Sequence, residues 1–463
     1  MQGIKKRLSG FFEMITTEKF FFYYIISVMI SLPVMEIFDE RHSQAFASQP
    51  VIVEVAGFIG IFVIIVHFLK HQDIKYYLSD LLYLLLFVFA LLSAVFTLNK
   101  FATWHGFDYD EWMFNFVAYF SLMFAGTMVN DKHMRKCILN VFILVTVIQS
   151  VVAALQTCGI YMIECYFDPE IILEAKRSYG LTQHSNWYAG LSVLMFACTS
   201  GIYLFTQSKL IRNITYGISI LCFYTLLSSE ARLAWVGVAA YLLFLAVSLT
   251  VMKFKGMEKE KLRSILKRLV LLIAGVILVI TFVIIVCGKI TGKLALTKEE
   301  INNVSGGNKK YDKLATSRVY IWKFGLKMVP EHWAFGIGLD NYEDAFFRSP
   351  DYIPGYYTQA KGHNEYIHYL VTQGVFQLAT YLTLLVYAAV TGIKNVIRNE
   401  DKEERFINWI LLGMLFGYAA QALFNSSIVN IVPYFWITIG MCLAKKNQHY
   451  FGYSKEHKKA KKA

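Results

Sequence analysis

Lys361, His363, Asn364, Glu365 and His368 crowd into KGHNEYIHYL, residues 361–370, where the longest hydrophilic stretch of the chain runs into an apolar one. Among them, His363 has the ordinary pKa, about 6.5, that suits taking a proton at neutral pH. Glu365 is placed to orient it or to act in its stead, and Asn364 to support it. As metal ligands these residues are weak. Five positions apart, His363 and His368 would stand about 140° apart around a helix. Glu365 and His368 form a Glu-x-x-His pair, but a di-iron centre needs a second such pair and two more inward carboxylates. No metal site is expected, and His368, one turn into the apolar run, reads as a bundle histidine with a polar partner.

Three arginines stand in loops or at span ends where membrane topology does not call for them: Arg177 in KRSYGLTQHSNWYAG, Arg232 in SSEARLAW and Arg318 in TSRVYIW. A guanidinium presents a rigid donor fork that grips phosphate bidentately and cannot be titrated away. An outward-facing cluster of them suits a pyrophosphate head group, with Lys361 as a further contact. The alternative for each is an arginine that snorkels to lipid headgroups. Trp322, Trp333 and Tyr366 either stack on sugar faces or anchor the membrane interface. The sequence has no GxxxxGK[ST] loop, GxSxG elbow or HExxH, and SGGNKK reads as a turn without the phosphate-loop pattern. No cofactor is expected.

The elements that must position these groups are membrane helices. The 463 residues are 56% hydrophobic and 17% charged, with a mean hydropathy of +0.45, too apolar for a soluble domain of this length. Apolar stretches of about 20 residues recur, and ten-residue alternating strands do not. The expected fold is all-α and polytopic, with about twelve spans near 20–38, 51–69, 80–98, 110–128, 137–157, 187–205, 211–228, 232–252, 269–288, 367–393, 406–424 and 430–444. The first is read as a retained span, too long for a signal peptide. Pro33 and Pro433 fall inside spans and are expected to kink them. No internal repeat is found, which gives an inverted-repeat transporter no support.

With the N-terminus cytoplasmic, the inside segments carry 29 Lys and Arg and the short outside loops 5, while 11 lie in the long segment from Lys289 to Tyr366, which escapes the rule by its length. The formal charge of +12 is thus a topology signal with a component for anionic membrane lipids, not a sign of nucleic acid. The expected organisation is nine spans over 1–288, a long extracytoplasmic loop over 289–366, three spans over 367–444, and a basic cytoplasmic tail over 445–463. Within the loop, Val319, Trp322, Leu326 and Val329 at helical spacing predict an amphipathic helix. A Gly336/Gly338 turn follows, then a second short helix capped by Asp340 with Glu343. Of seven scattered cysteines, Cys158 and Cys165 are close enough in sequence to pair or to stay as free thiols.

Twelve spans, a long loop before the tenth, Arg232 opening the eighth, SRVYIW early in the loop, FGIGLDNYEDAF in its middle and GHNEYIHYLVTQG at its end resemble the O-antigen ligase and O-antigen polymerase superfamily. The family's terminal motif is His, then Asn or Ser, nine residues, Gly, two residues, then Gly, Thr or Tyr. His363, Asn364 and Gly374 match it and Gln377 departs from it. The resemblance implies an inverting, metal-independent glycosyl transfer on the outer face of a bacterial inner (plasma) membrane, with a glycan on undecaprenyl pyrophosphate as donor and a glycan or lipid anchor as acceptor. His363 would be the base that deprotonates the acceptor hydroxyl. Arg232 and Arg318 would hold the leaving group, with Arg177 a further candidate. The other readings are a transporter of lipid-linked glycan or small anions that uses the arginines as a vestibule, and a structural scaffold that needs none of them. Few ionisable residues lie deep in the spans, Glu54 being the main one, which weighs against an ion-coupled transporter.

Overall fold

The protein was examined as a computed structural model, which describes residues 2–38, 48–70, 75–106, 111–163, 165, 169–254, 258–288, 318–350, 352 and 358–453. The SGGNKK turn, the first part of the long loop and the Lys-rich end of the tail lie outside the described residues. All twelve apolar windows coincide with helices. After α1 (Gln2–Ile15) come α2 (Glu18–Phe38), α3 (Gln49–Lys70), α4 (Leu78–Val95), the short α5 (Lys100–His105), α6 (Met113–Met128) and α7 (Lys132–Thr157). The short α8 (Pro169–Glu174) precedes α9 (Ser185–Phe205), α10 (Lys209–Ser228), α11 (Arg232–Phe254) and α12 (Lys259–Ile285). The rest are α13 (Arg318–His332), α14 (Asp344–Phe347), α15 (Glu365–Arg398), α16 (Lys402–Gln421) and α17 (Val432–Cys442). Among the described residues, ten helices are long and apolar enough to cross a membrane.

The two apolar helices that fall short of that length, α6 and α17, are among the most enclosed. Apart from Phe114 and Met128 they are buried all round, and they pack on each other. Their backbones meet at Gly126 and Gly440, where a Cβ on either glycine would overlap the other helix; small residues at a helix crossing are how backbones approach closely in lipid. The bundle completes the crossing at α17 with irregular chain at 425–431, all of it buried. Such backbone is tolerated at membrane depth only inside protein, and Asn425 Nδ2 donates to Gln421 Oε1 at 3.0 Å while Asn430 Nδ2 donates to the Thr182 carbonyl at 3.0 Å. Pro433 therefore stands in the first turn of α17 instead of kinking a span, a position that needs no amide proton. Pro33 lies inside α2 as expected.

At the end of the bundle where α7 begins, Arg135 is fully buried. It donates to Glu404 of α16, to Asn408 Oδ1 at 3.2 Å and to the Met441 carbonyl at 2.9 Å, so that one guanidinium ties α7, α16 and α17. A two-stranded antiparallel ribbon pairs Lys75–Tyr77 with Tyr450–Tyr453, bringing the chain after α17 to the α3–α4 connection.

The described part of the long loop forms α13, a turn through Gly336 and Gly338, and α14, the expected order. Two details differ. The buried side of α13 is Ile321, Phe324 and Gly325, whereas Leu326 is exposed, because the helix packs on Tyr342, Phe346 and Val371 in a small core of its own. The expected Asp340–Glu343 cap is absent: Glu343 precedes α14 and makes no side-chain cap, and Asp340 has φ 58° and faces Lys361. Cys158 and Cys165 are free thiols, and Cys165 is buried with Sγ 3.3 Å from the Gln183 carbonyl.

Candidate functional site

His363 sits in the turn that leads into α15. Asn364 is the N-cap of that helix, its Oδ1 accepting from the Ile367 amide at 3.0 Å, which satisfies one of the open amides of the first turn. The turn is pinned from other sides as well. Trp322 Nε1 of α13 donates to the Gly362 carbonyl at 2.8 Å. The Gly362 amide donates to His368 Nδ1 at 3.4 Å, and the His368 ring stacks on Tyr342 with centroids 5.4 Å apart. His368 is thus a structural histidine, as expected, but helix spacing is not what separates it from His363, which lies before the helix.

So held, His363 takes φ 45°, a left-handed conformation that a β-carbon makes costly. Every other described non-glycine residue with positive φ lies in a connecting segment too: Lys176, Gln183, Glu230 and Asp340. The His363 ring is half-buried, and Nε2 lies 3.1 Å from Gln359 Oε1. An amide oxygen only accepts, so the ring proton sits on Nε2 and Nδ1 carries the lone pair. Burial first, and then the electrostatic influence of the neighbouring Arg318, His184 and Lys361, push the His363 pKa from its ordinary 6.5 down to about 3. The ring is neutral at physiological pH.

The spacing from His363 to Gly374 has a physical basis. α15 runs nine residues and then breaks at Gly374, with φ 81° and ψ −179°. A Cβ there would overlap the Ala334 carbonyl. The break lets the 333–338 turn lie against the helix, with Ile337 and Gly338 amides donating to the Val371 and Thr372 carbonyls at 3.0 and 2.8 Å, and the Val375 amide donating to the Trp333 carbonyl at 2.8 Å. Asn364 and Gly374 thus bound a short helical block that carries His363 at its head. Gln377, where the motif departs, is buried just beyond the break.

Arg318 is the first residue of α13 and Arg232 the first of α11. A cation in a first turn opposes the helix dipole, at a cost of about 0.3–1 kcal/mol, and the same place favours an anion. Arg318 lies within electrostatic range of His363. Arg177 Nε donates to the Ser229 carbonyl at 2.8 Å, three residues before Arg232, so these two arginines share a neighbourhood.

His184, which sequence reasoning passed over, also acts on His363. It follows 178–183, an irregular segment buried throughout. Gln156 Oε1 accepts from the Tyr179 and Gly180 amides at 2.9 and 2.8 Å, Gln149 Oε1 accepts from the Leu181 amide at 2.8 Å, and Gln183 Nε2 donates to Glu36 Oε1 at 2.6 Å. His184 Nδ1 then caps α9 by accepting from the Asn186 amide at 3.1 Å. A signal existed in Q-H-S-N before an apolar run, a capping pattern; the glutamine lacing had none.

Five of the candidate residues make contacts of their own. Lys361 is buried, its Nζ 3.7 Å from Glu111 and 3.9 Å from Asp340, so its charge sits between two carboxylates. Glu365 turns away from His363 into the bundle, where Tyr381 and Tyr418 hydroxyls donate to it at 2.6 and 3.3 Å. Trp322 spends its N–H on Gly362, and the Tyr366 hydroxyl donates to the Ala419 carbonyl at 2.7 Å. Trp333 is exposed and stands by Phe376, centroids 5.6 Å apart. Among the described residues no group of three His, Cys, Asp or Glu is placed to hold a metal ion.

Residues 217–382 match the family described as O-antigen ligase. The match supports the O-antigen ligase and O-antigen polymerase superfamily, and it takes in Arg232, Arg318, His363 and Gly374 but neither Arg177 nor His184. No curated protein matches the chain.

Proposed function

We propose, from that family match, that this multi-pass membrane protein transfers or polymerises a glycan from an undecaprenyl pyrophosphate carrier onto an acceptor hydroxyl in cell-surface polysaccharide assembly. The site faces the extracytoplasmic side of the inner membrane, with both termini cytoplasmic, and is built from the 289–366 loop together with the outer ends of the spans on either side. The observation that carries this reading is the meeting of a neutral histidine with Arg318 at the first turn of α13, a place that favours a bound anion.

In the proposed reaction the acceptor oxygen attacks the anomeric carbon as the bond from that carbon to the pyrophosphate oxygen breaks, in one inverting displacement. The acceptor proton passes to His363 Nδ1, and the electron pair leaves on the pyrophosphate. Arg318, Arg232 and Arg177 receive the developing negative charge, a task that fixed positive groups perform without reorganising and that here requires no metal. The low pKa of His363 keeps it unprotonated but makes it a weak base. Donor binding offsets part of this: pyrophosphate beside Arg318 counters the cations that add to the effect of burial, so the base strengthens once the donor is seated. Lys361, Glu365, Trp322 and Asn364 act as positioning residues, and Trp333 as an interface anchor.

The test is chemical. Purified protein incubated with an undecaprenyl-pyrophosphate glycan should release carrier and yield a lengthened or transferred chain. The His363→Ala variant should lose turnover by about 10²-fold or more, the range of a lost general base, while donor binding is retained. Full turnover by His363→Ala would overturn the mechanism. A polymerase uses a second lipid-linked repeat as acceptor and a ligase a different anchor, so offering each acceptor separately tells them apart.

A further inference from the structure

A groove of about 890 Å³ runs along the outside of the bundle, from Lys402 and Arg405 at one end to Ala419, which Tyr366 contacts, at the other. Its floor is one face of α16, with Phe406, Trp409 and Phe416. α11 forms one wall, and the inner end of α15 forms the other. The volume lies within the range of about 300–1,000 Å³ typical of small-molecule sites. From Arg405 to Ala419 the floor extends about 21 Å at the helical rise, enough for one leaflet's share of a hydrocarbon core about 30 Å thick.

The charge at the mouth is segregated. The acidic residues at the start of α16 all turn away from the groove: Asp401 to Lys132 at 2.8 Å, Glu403 to Lys136 at 3.5 Å, and Glu404 to Arg135 and Lys446. Lys402, Arg405 and Lys261 line the groove instead, with Glu258 the one carboxylate beside them among the lining residues. Lys261 Nζ lies over the Phe406 ring, 4.5 Å from its centroid. Arg405 Nε is buried with no hydrogen-bond partner among the described residues. Three cations held together over an apolar trough are electrostatically unfavourable unless an anion joins them.

We infer that the groove between α11, α15 and α16 binds an anionic phospholipid of the cytoplasmic leaflet, its headgroup phosphate on Lys261, Lys402 and Arg405 and its acyl chains on Phe406, Trp409 and Phe416. Lys402, Arg405 and Lys261 sit at the inner ends of their helices, in the orientation the distribution of positive charge implies, and basic pockets between helices on that side suit anionic headgroups. The proposed pyrophosphate site is at the opposite end of the bundle, so these cations do not serve the donor.

The experiment titrates the full-length protein, in neutral detergent, with phosphatidylglycerol and with phosphatidylcholine of the same acyl chains, and counts bound lipid by native mass spectrometry. Phosphatidylglycerol should bind preferentially. The Lys261→Gln/Lys402→Gln/Arg405→Gln variant should weaken its binding by on the order of a hundredfold with an unchanged thermal melting curve. A second variant, Ala240→Trp, fills the trough and should reduce binding of both lipids. Equal binding of the two lipids by the unmodified protein, or a preference that survives the triple substitution, would overturn the assignment. So would displacement of phosphatidylglycerol by a polyprenyl pyrophosphate that depends on the same three cations.

Discussion

Gly374→Ala is expected to be a severely damaging single-methyl change. Its cost has two parts. The backbone at φ 81°, ψ −179° lies in a region essentially reserved for glycine, and forcing alanine into it costs about 1–3 kcal/mol. The new Cβ also overlaps the Ala334 carbonyl, so the 333–338 turn must lift off α15. That surrenders the bonds from Val375 to Trp333, Ile337 to Val371 and Gly338 to Thr372, at about 1 kcal/mol each. Together the loss is about 4–6 kcal/mol, comparable to the whole stability of many domains. Thermal unfolding in detergent measures it, with Gly217→Ala as the control: Gly217 lies inside α10 and a Cβ there meets nothing within 4 Å, so that change should be neutral or stabilising by about 1 kcal/mol or less. Turnover of Gly374→Ala should fall even at temperatures where the protein stays folded, because the block from Asn364 to Gly374 presents His363. Melting and turnover like those of Gly217→Ala would refute the account of the motif spacing.

Trp322→Phe keeps the ring and removes the donor to the Gly362 carbonyl; an unmet bond of this kind costs about 1–3 kcal/mol, and turnover should drop with the donor Kd unchanged. Unaltered turnover would show that the bond does not hold the turn that carries His363. Arg318→Gln should slow transfer by about 10²–10³-fold, the scale of one lost transition-state donor, with Arg318→Lys restoring only part because it lacks the fork; equal rates for the two variants would count against bidentate contact. The His363 pKa of about 3 lies below the ordinary 6.5, so on acidification the unfolded chain takes up this proton first. Its contribution to stability is complete above pH 6.5 and declines as pH falls toward 3. His363→Gln should flatten that part of the stability profile, and the acid limb of kcat/KM should lie well below pH 6.5. An acid limb at 6.5 would mean that the ring is not shielded as described. Arg135→Met leaves Glu404 buried with only Lys446 and should destabilise the bundle by about 3–5 kcal/mol, read as a lower melting temperature; an unchanged one would show that the Arg135 latch is dispensable.

The sequence by itself determined the helical plan. Hydrophobic runs about as long as a bilayer is thick leave few alternatives, and each of the twelve windows lies on a helix, including the two whose helical part is too short to cross. It also marked the turn at 361–364 and Arg318 as a place for chemistry, because charged and titratable groups at the edge of a greasy span cost too much to stand there idly. What it could not decide was direction. Lys361, Glu365 and Trp322 were visible as residue types, but whether a side chain faces a cleft or a neighbouring helix depends on partners far along the chain: Glu111 for Lys361, Tyr381 and Tyr418 for Glu365, Gly362 for Trp322. The buried face of α13 was set by Tyr342 and Phe346 packing on it, not by its own periodicity. His184 escaped notice because what presents it, an irregular segment laced by Gln149 and Gln156, leaves no period in the sequence. Local pattern fixes where a helix must be, since its backbone bonds are made within it; only the tertiary structure brings together the distant polar partners that aim a side chain.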